Sequence, residues 1–178
     1  AVHKANVLKL SDGLFLREVR KVAAEFPDVA LEEIIVDAAA ALLIRSPDRF
    51  DVIVTTNMFG DILSDEASEL SGSLGLGGSI NAGDDICVAQ AQHGSAPDIA
   101  GKGVANPTSL ILSAAMLLDW LGRRHGRSDF STAAATLEAA VEDVLGNPLM
   151  RTRDIGGTLG TAEFGEAVCN AVRARGRP

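Results

Sequence analysis

Three short segments of this chain hold residues that could do chemistry. In Asn57-Met58-Phe59-Gly60-Asp61-Ile62-Leu63-Ser64-Asp65-Glu66, Asp61 and Asp65 stand four residues apart. On a helix that spacing turns both carboxylates to one side. Two carboxylates held close repel unless a cation lies between them, and an all-oxygen donor set selects Mg²⁺ or Mn²⁺ over zinc. A solvated acidic helix face would use the same spacing with no ligand at all. Position favours the ligand: the pair begins one turn after the strand-like run Phe50-Asp51-Val52-Ile53-Val54, and α/β proteins form their sites at strand ends.

The second segment is His93-Gly94-Ser95-Ala96-Pro97-Asp98-Ile99-Ala100-Gly101-Lys102-Gly103, followed by Asn106. Its small residues let backbone approach a ligand, and Asp98 could accept hydrogen bonds from a ribose diol. It lacks the G-x-G-x-x-G spacing, so by spacing alone it is a surface loop. The third is Lys4 with Asn6, a cation beside a carboxamide, lying between strand-like Val2 and a turn. A lone lysine is ordinarily a surface charge; the neighbouring carboxamide could hydrogen-bond a substrate.

The surrounding pattern supplies elements to hold these segments. Residues 12–25 place Leu14, Phe15, Val19, Val22 and Ala23 on one helical face, with Ser11 as cap and Pro27 as stop. Ile34-Ile35-Val36 is a short strand ending at Asp37, residues 38–44 form a helix ending at Ser46-Pro47, and 50–54 form a second strand leading into a helix over 58–70. Strand and helix alternate, as in an α/β protein. Glycines at 72, 75, 77 and 78 mark a boundary or crossover. Beyond it, 86–90 is strand-like and 93–106 a loop. Asn106 caps a helix that has Pro107 at its first position and ends at Gly122, and two further helices cover 130–145 and 161–174.

Bulk composition narrows the classes. With 47% hydrophobic and 22% charged residues the chain can bury a core. A net charge of -8 excludes a general nucleic-acid binder, which needs clustered cations. Cys87 and Cys169 are too few and too distant for a disulfide framework or a zinc site, and are expected as small packed residues. No apolar run is long enough for a membrane span. The polar start gives no sign of a signal peptide, so a cytoplasmic location is expected.

Taken together, the segments resemble the isocitrate and isopropylmalate dehydrogenase family, whose members include homoisocitrate and tartrate/malate enzymes. His3-Lys4-Ala5-Asn6 resembles the family's catalytic-lysine segment, 57–66 its metal-binding helix, 93–107 its adenosine-binding loop, and Arg153-Asp154-Ile155-Gly156-Gly157 its C-terminal signature. The resemblance runs along nearly the whole chain, with the motifs in the family's order. It implies the C-terminal half of the family's non-Rossmann α/β fold. Residues 1–71 are expected in a smaller, dimer-forming domain, and 72–178 in the C-terminal part of a larger cofactor-binding domain.

The implied activity is NAD-dependent oxidation of a small anionic 2-hydroxy acid, followed by loss of the carboxylate on C3. Lys4 and Asp37 are the implied catalytic residues, Lys4 and Asn6 the substrate-binding ones, and Asp37, Asp61 and Asp65 the ligands of Mg²⁺ or Mn²⁺. His93, Gly94, Ser95, Ala96, Asp98, Ile99 and Asn106 are the implied NAD contacts. Lys4 and Asp37 would serve the active site of the other subunit of a homodimer. The substrate is expected to be of isocitrate, homoisocitrate or 3-isopropylmalate type. A tartrate/malate-type enzyme and a non-catalytic regulatory subunit are the alternatives. Two departures stand out. Gln90 occupies the place where the family usually has Glu, and the chain has no Tyr, the family's catalytic tyrosine lying upstream of the lysine segment. The chain is therefore expected to be a fragment of a longer protein.

Overall fold

Strand β1 (Val2–His3) pairs in parallel with β2 (Ile34–Ile35), Val2 opposite Ile34 and His3 opposite Ile35. The crossover between them carries helix α1 (Ser11–Ala23). This is a computed structural model. It describes residues 1–176 and divides into two compact units, the first ending at Leu70 and the second starting at Ser71.

In the first unit, α2 (Val36–Arg45) begins immediately after β2, so Asp37 lies in the first turn of a helix rather than at a strand end. Helix α3 (Asn57–Ser71) carries the two aspartates. The core is Val2, Ala39, Leu43 and Leu63, with Ile34, Val36, Phe50 and Ile53 packed around it.

Three local expectations change here. Ser11 makes no cap; it is the first helical residue, and Asp12 beside it is the buried one. The predicted apolar face of α1 is not buried: Leu14 and Val22 are 48% and 54% exposed and Phe15, Val19 and Ala23 only half-buried, while Leu16, outside that face, is the buried leucine. The run 50–54 forms no strand. Val54 O accepts from Val2 N (2.9 Å), and Thr55 Oγ1 donates to Val2 O (2.7 Å). With only two residues in β1, those bonds exhaust the edge that the run could pair with.

In the second unit, β3 (Gly78–Ala82) and β4 (Cys87–Ala91) form an antiparallel hairpin, Gly78 opposite Ala91 and Ala82 opposite Cys87. The hairpin packs on α4 (Thr108–His125), which packs on α5 (Ser128–Gly146), and α5 in turn on α6 (Thr161–Arg175). The core is Ala140, Val141, Val144, Phe164 and Val168. Helix α4 runs past Gly122, contrary to the predicted stop there. A Cβ on Gly122 would run into the side chain and backbone of Ser131, so this glycine permits close helix packing. The stop is Gly126, whose φ of 63° is the left-handed conformation that ends helices.

Among the described residues no helix is long and apolar enough to cross a membrane.

Candidate functional site

Parallel register explains how the first unit brings Lys4 to Asp37. His3 and Ile35 are partners, so the residues just beyond each strand emerge side by side. There Lys4 Nζ donates to Asp37 Oδ1 in an ion pair. The hydrogen bond from Lys4 holds the Asp37 carboxyl below the ordinary carboxylate range, and the N-terminal turn of α2 also suits a negative charge. The backbone of Lys4 is anchored separately. Its N–H donates to Asp12 Oδ2 at 2.6 Å, and Asp12 is only 3% exposed. Asp12 was missed in the sequence because an acidic residue in the first turn of a helix looks like an ordinary charge complement. Asn6 follows Lys4 in a turn and is exposed.

Asp61 and Asp65 sit one turn apart on α3, both exposed. Beside them on the same helix, Met58 and Ile62 are each 58% exposed. Asp37 lies on another helix and is engaged with Lys4. Among the described residues no three His, Cys, Asp or Glu side chains come together around a metal position. The donor chemistry of Asp61 and Asp65, two solvent-facing carboxylates on one helix side, fits a hard cation that keeps several waters.

In the second unit, the 93–106 loop surrounds a cavity of about 400 Å³, lined by His93, Gly94, Ala96, Ile99 and Asn106 from the loop, with Ser73, Gly75 and Asp154 from elsewhere in the unit. A second hollow of about 440 Å³ lies against the same loop and adds Ser95, Gly101 and Thr161. Of the predicted cofactor residues, six line one hollow or the other. Asp98 does not; it is exposed in the 3-10 turn Pro97–Ile99.

Ala96 enters that turn with φ 42°, left-handed for a residue with a Cβ, at a strain of about 1–2 kcal/mol. Asn106 is 7% exposed, and its Oδ1 accepts from Thr108 N (3.0 Å); the helix starts one residue later than predicted, with Pro107 in the N-cap position and Asn106 just before it. Its Nδ2 donates to Asp154 Oδ2 (2.9 Å), which also accepts from Ser73 Oγ (2.5 Å). Partial burial would raise the Asp154 carboxyl, but the hydrogen bonds to it, from Ser73 first and then Thr152, Asn106 and its own backbone, outweigh it and hold the group below its ordinary value. Ser73, Asp154 and Thr161 carried no role in the sequence reading. Asp154 lies in the C-terminal signature, yet nothing local connects it to a loop nearly 50 positions earlier.

A family model described as isocitrate/isopropylmalate dehydrogenase matches residues 1–168. The chain belongs to this family. It is 54% identical over 172 residues to an isocitrate/homoisocitrate dehydrogenase of Thermus thermophilus, covering 97% of this chain and 49% of that protein. It is 47% identical over 174 residues to a homoisocitrate dehydrogenase of Methanocaldococcus jannaschii, covering 98% and 48%. A solved isocitrate dehydrogenase from Methylococcus capsulatus superposes with a TM-score of 0.89 at 46% identity, over 97% of this chain and 49% of that one. The chain thus spans about half the length of the curated relatives it matches. Its helix-rich α/β architecture is that of the isocitrate/isopropylmalate dehydrogenase fold. Members of the family are decarboxylating dehydrogenases.

Proposed function

We propose that the protein to which this chain belongs oxidises a small 2-hydroxy acid of isocitrate, homoisocitrate or 3-isopropylmalate type with NAD, and then releases the carboxylate on C3 as CO₂. The Lys4–Asp37 pair at the end of a parallel strand pair supports this reading most strongly. Asp37 occupies Nζ in the ion pair, so the substrate hydroxyl can reach Lys4 only once Asp37 has turned from it. Asp12, by holding the Lys4 backbone, keeps Nζ at the strand end while that exchange occurs. Asn6 would hydrogen-bond the substrate.

Asp37, Asp61 and Asp65 would hold Mg²⁺ or Mn²⁺. Bound there, the cation supplies Lewis-acid polarisation of the substrate's hydroxyl and carboxylate oxygens, and charge stabilisation when CO₂ departs. Residues His93, Gly94, Ser95, Ala96, Asp98, Ile99 and Asn106 would bind the adenosine end of NAD, whose nicotinamide end would supply the hydride acceptor for C2. We assign a homodimer with shared active sites, in which Lys4 and Asp37 serve the partner's site. The exposed Met58 and Ile62, next to the carboxylates of α3, support a partner surface there. We also place the protein in the cytoplasm.

A non-catalytic subunit of the same family is favoured by one observation, the exposed Gln90 on β4 where the family usually carries Glu. Against it, four charged groups of the catalytic set are retained together. Turnover by the purified full-length chain separates the two readings, since a non-catalytic subunit has none, and Asp61→Asn then tests the metal, because it removes a ligand charge without changing shape. In the full-length enzyme it should abolish metal-dependent turnover and leave the far-ultraviolet circular dichroism unchanged. Undiminished activity, or full activity after exhaustive chelation, would remove the cation from the mechanism.

A further inference from the structure

Loop 93–106 has little of its own to hold it. Within it, Ile99 N donates to Ala96 O, Ala100 N to Pro97 O and Lys102 N to Ile99 O, and these bonds define only the turn. The returning arm is tied instead to residues far along the chain. Gly103 O accepts from Thr161 N (2.9 Å), and Ala105 O from Thr161 Oγ1 (2.5 Å). Asn106 donates to Asp154 Oδ2, and Ser73 Oγ donates to the same oxygen. Glycines let the parts approach this closely: a Cβ on Gly75 would meet Asn106, and one on Gly160 would stand 2.7 Å from Gly103 O.

We propose that Asp154 is a positioning residue, which together with Ser73 and Thr161 clamps the returning arm of the 93–106 loop in the form that binds the dinucleotide. This rests on the reading of that loop as the NAD site. Asn106 gives its Oδ1 to Thr108 and one Nδ2 hydrogen to Asp154, leaving one N–H for a ligand in the cavity it lines. Without the Asp154 carboxylate, nothing described fixes the plane of that carboxamide on the Nδ2 side. The strained Ala96 also needs a held loop to persist, because strain survives only where the surroundings over-determine it.

The test uses the full-length enzyme, with NAD as probe. Asp154→Ala should raise the KM and Kd for NAD by about tenfold or more, the consequence of losing a hydrogen bond to a charged group. It should leave kcat at saturating NAD within about twofold and the KM for the hydroxy acid unmoved. Asp154→Asn keeps an acceptor oxygen and should recover much of the affinity. Thr161→Val removes a single hydroxyl bond and should shift NAD affinity in the same direction by less. A wild-type NAD affinity retained in Asp154→Ala, or a fall in kcat with the KM for NAD unchanged, would overturn the clamp while leaving the NAD site intact. If Asp154→Ala does not fold, unaltered NAD binding in Thr161→Val overturns it. A wild-type enzyme that neither binds nor uses NAD overturns the clamp and the site reading together.

Discussion

Gly75→Ala puts the arrangement around Asn106 under a load that can be calculated. The new Cβ would stand 2.8 Å from Asn106 Cβ and 3.3 Å from its Nδ2. Carbon atoms pack at about 3.5–4.0 Å, so one side must give by about 1 Å. Asn106 is buried and tied at both ends of its carboxamide, at 2.9 Å to Asp154 and 3.0 Å to Thr108 N. A retreat of that size stretches one of these bonds to about 4 Å, beyond hydrogen-bond range. Losing the bond to the charged partner costs about 1.5–3 kcal/mol. Replacing a glycine of compatible backbone returns about 0.4–1 kcal/mol through the unfolded chain. The net is a loss of about 1–2 kcal/mol, or roughly 5- to 30-fold if it falls on NAD affinity. Isothermal titration with NAD on the full-length enzyme measures the affinity, and denaturant unfolding measures the stability. Gly146→Ala is the control, since its Cβ meets nothing within 4 Å. An NAD affinity within twofold of wild type, with stability raised as in the control, would refute the claim that Asn106 is held rigidly.

Two further outcomes follow from particular residues. NAD should be preferred over NADP, because a 2′-phosphate near the exposed Asp98 meets a like charge; after solvent screening we expect about a fivefold preference from this residue. Comparing kcat/KM for the two cofactors in wild type and in Asp98→Lys with Ile99→Tyr checks it, and an unmoved ratio in the double variant would show that Asp98 is not the selector. Phe164 is 0% exposed at the centre of the second unit's core, so Phe164→Ala should destabilise that unit by about 3–5 kcal/mol. Denaturant unfolding reads this out, and a loss below about 1 kcal/mol would mean that α6 is not packed as described.

What the sequence determined by itself is the local and the chemical. Hydrophobic periodicity in α1, and helix-forming composition with start and stop residues elsewhere, located most of α1, α2 and α3 and all three long helices of the second unit, because such signals lie within a few residues and need no distant partner. Residue type and order identified Lys4, Asp61, Asp65 and the 93–106 segment as candidates, and the joint occurrence of the motifs identified the family. Tertiary structure alone decided the rest. Whether 50–54 becomes a strand depends on the length of the edge offered by β1. Whether Gly122 stops α4 or lets α5 approach depends on Ser131, and whether the apolar side of α1 is buried depends on what faces it. The grouping of Ser73, Asn106 and Asp154 is of the same kind. Hydrogen bonds between groups 81 and 48 positions apart leave no periodic trace along the chain, so only the folded arrangement reveals them.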